Sequence, residues 1–370
     1  MTKDPEKIKR INPWLVILLT AAIPIGFFLF YFAKWVEQKT DIARVTSEFG
    51  QRQNSVLAYN AMEVSSSFTE LLEKGARDAK VLSLVPPTVT NFQEFHKAQV
   101  GNYTQFFSEA EPPKQISLPF YNREIFLSGS GAFTIFLLNG KPESHPKNIG
   151  ECSEKNLCDA SLLKKALTMP AGSIWYGDLM RYYAGEGERE QDDTASLNVV
   201  YRSSEGVVLL GIDYRHLRDH LTTPVFPYDR KRNLLASYRN GNYIYFVNST
   251  NDIIVHPKYW HVAGIDKKTG KRVPPMVSDS DEGRHPLNIG AYENGKLKDY
   301  FRRLLTQSFT QRGVDIFQAP NLSGKVRVLS VAPVFASRGQ FEKSGIFGHV
   351  ILGCSLDHFE EPSEKLVPYY

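Results

Sequence analysis

The 370-residue sequence predicts an α+β chain: one very apolar segment, one long helix, then two related strand-rich modules in tandem. Three observations predict it. "GVVLLGIDYRHL", which starts at Gly206, and "GHVILGCSLDHF", which starts at Gly348, match without a gap at Gly206/Gly348, Val208/Val350, Leu210/Leu352, Gly211/Gly353 and His216/His358. Self-similarity at a fixed distance reports a repeated architecture before any single motif does. Residues 11–33, "INPWLVILLTAAIPIGFFLFYFA", contain no charged side chain, and residues 35–85 contain no proline while their apolar positions recur at helical intervals.

Composition narrows the class. Lys and Arg total 44 against 40 Asp and Glu, a net charge of +4, and the two signs are interleaved without a basic block, so nothing points to nucleic acid. With 42% hydrophobic residues, 23 Phe and 18 Tyr, the chain can fill packed cores.

Taken in order, residues 1–10 are read as a cytoplasmic N-terminus and 11–33 as a transmembrane helix, since about 20 apolar residues cross a bilayer. Pro13 stands at the start, where a missing N–H costs little, and Pro24 inside predicts a kink. Trp14, Tyr31 and Trp35 lie near the two ends, where amphipathic rings favour the membrane boundary. A cleaved signal peptide would have a shorter apolar core and a small-x-small site, which "FYFAKWVEQ" lacks. Lys3, Lys7, Lys9 and Arg10 before the span, against Lys34, Lys39 and Arg44 after it, place the N-terminus inside and the bulk of the chain outside the cytoplasm. Cys152 and Cys158 in "GECSEKNLCDA" agree with an oxidising compartment and read as a disulfide. The rival zinc reading lacks a second ligand pair, and Cys354 reads as a buried thiol.

Residues 34–86 are read as a stalk helix with an apolar stripe through Ile42, Val45, Phe49, Val56, Tyr59, Ala61, Val64, Phe68, Leu71 and Leu72. Gly50 and the Ser65–Ser67 run weaken it locally, and Pro86-Pro87 ends it. At about 1.5 Å per residue, fifty residues rise about 75 Å, the length of a stalk rather than a core helix. Its stripe suggests two chains side by side, a homodimer.

Strand patterns follow. "EIFLSGSGAFTIFLLNGKPESHP" gives two runs about Gly129–Gly131 and a turn at Asn139-Gly140. "SLNVVYRSSEGVVLLGID" gives two more. "LLASYRNGNYIYFVNSTNDIIVHP" starts the series again with a turn at Asn240–Asn242, and "KVRVLSVAPVFASRG" with "SGIFGHVILGCSL" closes it. "FTIFLLNGKPESHP" (133–146) pairs in kind with "YIYFVNSTNDIIVHP" (243–257), so two anchors recur in the same order. The second copy carries about 30 more residues between its anchors, mainly a polar insertion.

A membrane helix, a stalk and two tandem strand-rich modules with "IIVHP" in the second resemble the double-Cache extracytoplasmic sensor domains of bacterial chemoreceptors and sensor kinases. The resemblance spans roughly 34–361. It implies two PAS-like (Cache) modules, each with a central antiparallel sheet flanked by helices: a membrane-distal one at 87–222, a membrane-proximal one at 223–361, and a tail at 362–370. It implies a cell-membrane, single-pass, periplasm-facing sensor whose distal module takes a small molecule. In that module "GSIWYGDLMRYYAGEGEREQDD" (172–193) is richest in recognition chemistry. Trp175, Tyr176, Asp178, Arg181, Tyr182 and Tyr183 are therefore the expected ligand residues, with Asp213 on the following strand end. Arg suits a carboxylate, Asp an ammonium, and aromatic rings wall a pocket or face a cation. In the amino-acid-binding branch an Arg stands two residues before a Trp-Tyr pair. Here Ser173 precedes Trp175-Tyr176 and Met180 precedes Tyr182-Tyr183, so the implied ligand is a small polar molecule, amino acid or other.

Each residue also has an ordinary reading. The aromatics can fill a core, Arg181 can pair with the nearby acidic run, and Asp213 can cap the helix of "YRHLRDHL". His256-Pro257 can shape a turn, and "DSDEG" (279–283) lacks the spacing of a calcium loop and reads as a solvated loop. No phosphate-cradling loop, HExxH or nucleophile elbow occurs, so no enzymatic activity, metal or cofactor is expected. No transmitter region follows "LDHFEEPSEKLVPYY", which leaves a longer parent chain or a separate signalling partner. The alternative from another class is a membrane-tethered assembly module that works without a ligand.

Overall fold

The longest element is helix α1 (Pro13–Leu82), which runs unbroken through Pro24 in a computed structural model. The structure describes residues 13–105, 114–152, 158–183, 195–219, 224–226, 234–235, 243–257, 259–266 and 269–355. Among the described residues no helix is long and apolar enough to cross a membrane. Of the expected span, residues 11 and 12 and the side chains of 13, 15–21 and 23 lie outside that description. Those described near its far end are exposed all round the helix: Ile25, Phe27, Phe28, Leu29, Phe30, Tyr31, Phe32 and Trp35.

Residues Asn54–Leu356 form one compact unit, and the residues up to Gln53 belong to another. Inside the compact unit α1 is a core helix. Leu57, Ala61, Val64, Phe68, Leu71, Leu72, Ala76, Ala79 and Leu82 are all buried, which corrects the reading of this half as stalk. Tyr59, expected in the stripe, points to solvent. The serine run does not interrupt the helix. Ser65 is buried and its hydroxyl donates to the Pro333 carbonyl, so a small side chain here lets helix and sheet approach. The helix stops at Leu82, four residues before Pro86.

The first sheet has strand order β5-β4-β3-β9-β8-β6, from β3 (Tyr121–Ser128), β4 (Phe133–Leu138), β5 (Lys141–Pro142), β6 (Ile174–Met180), β8 (Ser196–Arg202) and β9 (Gly206–Asp213). All its neighbours are antiparallel. A Cβ built on Gly75 of α1 would sit 3.0 Å from Val199 and 3.1 Å from Ile212, so the helix lies close against one face. The same face takes α2 (Val89–Ala98), capped by the Thr88 hydroxyl. The other face packs on α3 (Ala160–Thr168), whose first turn is capped by Asp159. Ile125, Leu127, Phe136, Leu163, Val200, Val207 and Leu209 form that core, together with Cys152 and Cys158. The two cysteines are joined in a disulfide with Cα atoms 5.4 Å apart.

The second sheet has order β13-β12-β17-β16-β15, from β12 (Tyr243–Asn248), β13 (Ile253–Val255), β15 (Asp315–Pro320), β16 (Val326–Phe335) and β17 (Ile346–Ser355). It is also antiparallel throughout. Phe68 of α1 stacks on Phe246 at 4.8 Å on one face. The other face packs on α5 (Lys298–Thr306) through Tyr245, Val247, Leu297, Phe301, Leu329, Val331 and Ile351. Cys354 is buried and free, and burial pushes its thiol up to about 12.

The second sheet repeats the order of the first, β5 excepted. Gly211 of β9 lies between Arg123 of β3 and Asn198 of β8, and Gly353 of β17 lies between Tyr243 of β12 and Leu329 of β16. β3 therefore corresponds to β12 and β4 to β13. This shifts the expected correspondence by one strand, because "FTIFLL" is the counterpart of "IIV", not of "YIYFVN". The reason is local: the edge hairpin strands are both apolar, so either fits the pattern. The turn expected at 240–242 lies outside the described residues.

Smaller elements complete the chain. β1 (Val100–Gln105) pairs with β2 (Lys114–Pro119), β10 (Pro224–Phe226) with β11 (Leu234–Leu235), and α4 (Tyr214–Asp219) follows β9. β7 (Tyr182–Tyr183) runs parallel to β14 (Ile265–Asp266), which ties the two halves together. Residues 279–281 form a single 3-10 turn with no buried residue, closed by the Asp281 carboxylate on the Val277 and Ser278 amides.

Candidate functional site

β3 reads "YNREIFLS", a strand whose first seven residues are all buried although Arg123 and Glu124 stand among them. Alternation sends the two charges to opposite faces. Glu124 goes to the α2 side, where His96 Nδ1 lies 2.7 Å from its carboxylate. Burial raises the Glu124 pKa, with the His96 contact acting the other way. Arg123 goes to the α3 side, beside Ile125 and Leu127 but past the end of the apolar core.

At that end the sheet face turns polar. Arg123, Ser196 and Asn198 are each 0% exposed. Arg123 Nη1 donates to Asn198 Oδ1 at 3.4 Å. Among the described residues Asn198 Nδ2 and Ser196 Oγ have no hydrogen-bond partner. Buried polar atoms are ordinarily paired, because an unmet one costs on the order of 1–3 kcal/mol. Glycine keeps the row open: a Cβ on Gly211 would sit 2.7 Å from Ser196 Oγ and 3.0 Å from Arg123 Cβ. Gly177, in the β6 bulge, does the same beside Asn198, where a Cβ would lie 2.5 Å from Leu162.

The structure divides the expected residues into groups. Trp175, Tyr176 and Asp178 come together on one cleft of about 430 Å³ at the β6 edge. Its opposite wall is the Asn248–Thr250 turn together with Gln340 and Phe341 of the second half. Lys165 of α3 sits 4.6 Å from the centre of the Trp175 ring. Tyr176 is buried, packs on Phe341 and Phe347, and exchanges two backbone bonds with the Gln340 amide. Asp178 is exposed to the cleft, yet crowding by protein raises its carboxyl pKa, with Arg272 opposing. Because its surface is open, the energetic weight of that shift is small.

Arg181 faces the junction instead. It is buried, donates to the Val262 carbonyl at 2.7 Å, and stacks 3.7 Å above the Tyr259 ring. Asp213 accepts from the Arg215 backbone amide and guanidinium at 2.7–3.0 Å, so it closes the turn into α4. Tyr182 and Tyr183 are described only in their backbone, as β7. Ser196 is the common neighbour of this set, paired with Met180 just before Arg181 and with Asp213 on the other side.

Arg123, Ser196 and Asn198 are absent from the set the sequence singles out. A signal was present, since a charged pair inside "YNREIFLS" contradicts an otherwise buried strand. Among the described residues no cluster of three or more His, Cys, Asp or Glu side chains stands ready to hold a metal ion.

No family model and no curated protein matches the chain. Among solved structures, it is similar to the ligand-binding domain of the Pseudomonas fluorescens chemoreceptor CtaA in complex with L-leucine, at 12% identity and TM-score 0.39, covering 86% of this chain and 99% of that one. It is also similar to the periplasmic sensory domain of the Campylobacter jejuni chemoreceptor Tlp1, at 12% identity and TM-score 0.38, covering 87% and 96%. Both of those proteins are chemoreceptors.

Proposed function

We propose that the chain is a membrane-anchored extracytoplasmic sensor that takes a small polar ligand on the first sheet and passes the signal along α1. The observation that carries this reading is the buried polar row of Arg123, Ser196 and Asn198, left open by Gly211 where an apolar core would otherwise continue. A guanidinium with neighbouring amide and hydroxyl groups suits a carboxylate or another planar polar group. Trp175 and Asp178 border the adjacent cleft, and Arg181, Tyr182, Tyr183 and Asp213 flank the row. The exposed apolar residues between Ile25 and Trp35 support an anchor in lipid, where such a surface is at home. A homodimer through the helix, a separate signalling partner and residence at the cell membrane belong to the same reading. Signal relay requires the ligand to favour one arrangement of the sheets over another, because equal affinity for both shifts nothing.

The test is a thermal-shift screen of the full chain in an uncharged detergent against a library of small polar metabolites. One chemical class should stabilise it, by about 2.7 kcal/mol at a hundredfold excess over Kd. Asn198→Leu, which installs the residue found at the equivalent place in the second sheet, should abolish that shift. Stabilisation by no compound, together with a stable protein–protein contact, would favour a tethered assembly module.

A further inference from the structure

We infer that the second sheet holds a binding site of its own, for a small organic monocarboxylate, centred on Arg327. The site is a cavity of about 410 Å³ on the α5 side of that sheet, bordered by Tyr243, Tyr245, Tyr300, Leu297, His261 and Arg327. Arg327 is 8% exposed. Its Nη1 donates to Ser355 Oγ at 2.9 Å, and its Nε has no partner among the described residues. One neutral hydroxyl is poor compensation for a guanidinium withdrawn from water, since buried charges are ordinarily paired. An anion entering the cavity supplies the missing partner.

The lining decides what kind of anion. Tyr245 and Tyr300 bond to each other through their hydroxyls. Burial pushes the Tyr243 phenol up to about 12, so it stays neutral at physiological pH. Among the described lining residues Arg327 is thus the one buried fixed charge, which suits a single negative charge rather than a phosphate dianion. Glu282 at the rim, 4.0 Å from His261, disfavours a second carboxylate at that end. Ile253, Leu287 and Phe301 complete an apolar wall that fits an organic body. Lys325, exposed at the mouth, draws anions in.

The location has a second warrant. Arg327 pairs with Ser355 as Ser196 pairs with Asp213, so it occupies in the second sheet the place of Ser196 in the first. Each repeat therefore carries a buried arginine at the same end of the same face. The inference stands on the second sheet alone and survives failure of a ligand site on the first.

Isothermal titration of the full chain in an uncharged detergent, with acetate, propionate, pyruvate and benzoate each set against its amide, tests it. At least one acid should bind, with its amide at least tenfold weaker. Arg327→Gln should weaken binding at least tenfold. Ser323→Trp, on the exposed mouth, should do the same while leaving Arg327 and its Ser355 bond in place, and the Arg327-dependent binding should persist in an Asn198→Leu background, where a carboxylate taken on the first sheet no longer contributes. The proposal is overturned if none of the acids binds, if amide and acid bind equally, if Ser323→Trp is without effect, or if binding is lost in Asn198→Leu and kept in Arg327→Gln.

Discussion

At matching positions beside their shared glycines, the first sheet carries Arg123, Asn198, Ser196 and Asp213, and the second carries Tyr243, Leu329, Arg327 and Ser355. The backbone plan is the same and the chemistry is not. What persists is what sterics impose. A Cβ on Gly206 would lie 2.0 Å from the Leu127 carbonyl and 2.8 Å from the Phe126 ring; on Gly348 it would lie 2.2 Å from the Val247 carbonyl and 3.1 Å from the Phe246 ring. Two phenylalanines at corresponding places press on two glycines that cannot change. Side chains facing the pocket end are under no such constraint, and the arginine has moved from one flanking strand to the other.

If the glycines are fixed by close approach, Gly206→Ala and Gly348→Ala should each destabilise the protein by about 3 kcal/mol, read from denaturant midpoints. A loss under about 1 kcal/mol at either would show that the two strands are not crowded alike.

The sheets should also part company in acid. His349 on β17 is 5% exposed, stacks 4.1 Å from Phe309, and is lowered by burial to about 4. Unfolded chains take up that proton near pH 6.5 and the native protein does not. Stability should therefore fall as pH drops from about 6.5 to about 4, by about 3 kcal/mol in total. His349→Phe should flatten that slope. His216, after the first sheet, is also lowered by burial, but the Pro119 carbonyl at 3.0 Å favours its proton, so His216→Phe should flatten the slope less.

The Cys152–Cys158 bond has no counterpart in the second repeat, whose core is closed by aromatic residues instead. Opening this short loop, closed across a sequence separation of 6, with Cys152→Ser and Cys158→Ser together should cost about 2 kcal/mol. Hydrogen exchange should place the loss on β8, β9 and α3 and leave β16 and β17 protected. Smallest is the junction: Gln340→Ala removes two bonds to the Tyr176 backbone and should cost about 1 kcal/mol. Matched changes in both repeats' exchange rates would show that the junction couples them.

How much of this was legible follows the same division. The glycine-bearing strands could be read because close packing writes the same letters twice. β3 and β12 could not be matched, since "REIFLS" and "YIYFVN" share only the phenylalanine. The helix was legible as a helix but not as a core element, because an apolar stripe says that something is covered without saying what. Trp175, Tyr176 and Asp178 were found from composition and do share a cleft. Arg181 and Asp213 came from the same reasoning, and their charges meet Val262, Tyr259 and Arg215 through contacts that no spacing in the sequence encodes. Arg123 stands beside Glu124 at the polar start of β3 and Arg327 near the start of β16, so neither is marked as a pocket residue by its spacing.

The Ser65 hydroxyl and the Pro333 carbonyl that receives it are 268 residues apart, and this has a cost during synthesis. The helix leaves the ribosome before the sheet it packs on, so Phe68 waits for Phe246 and Ser65 waits longer still for Pro333. Contacts of such long range slow folding and expose intermediates to aggregation. Chains truncated before β16 should therefore be the ones that chaperones hold longest.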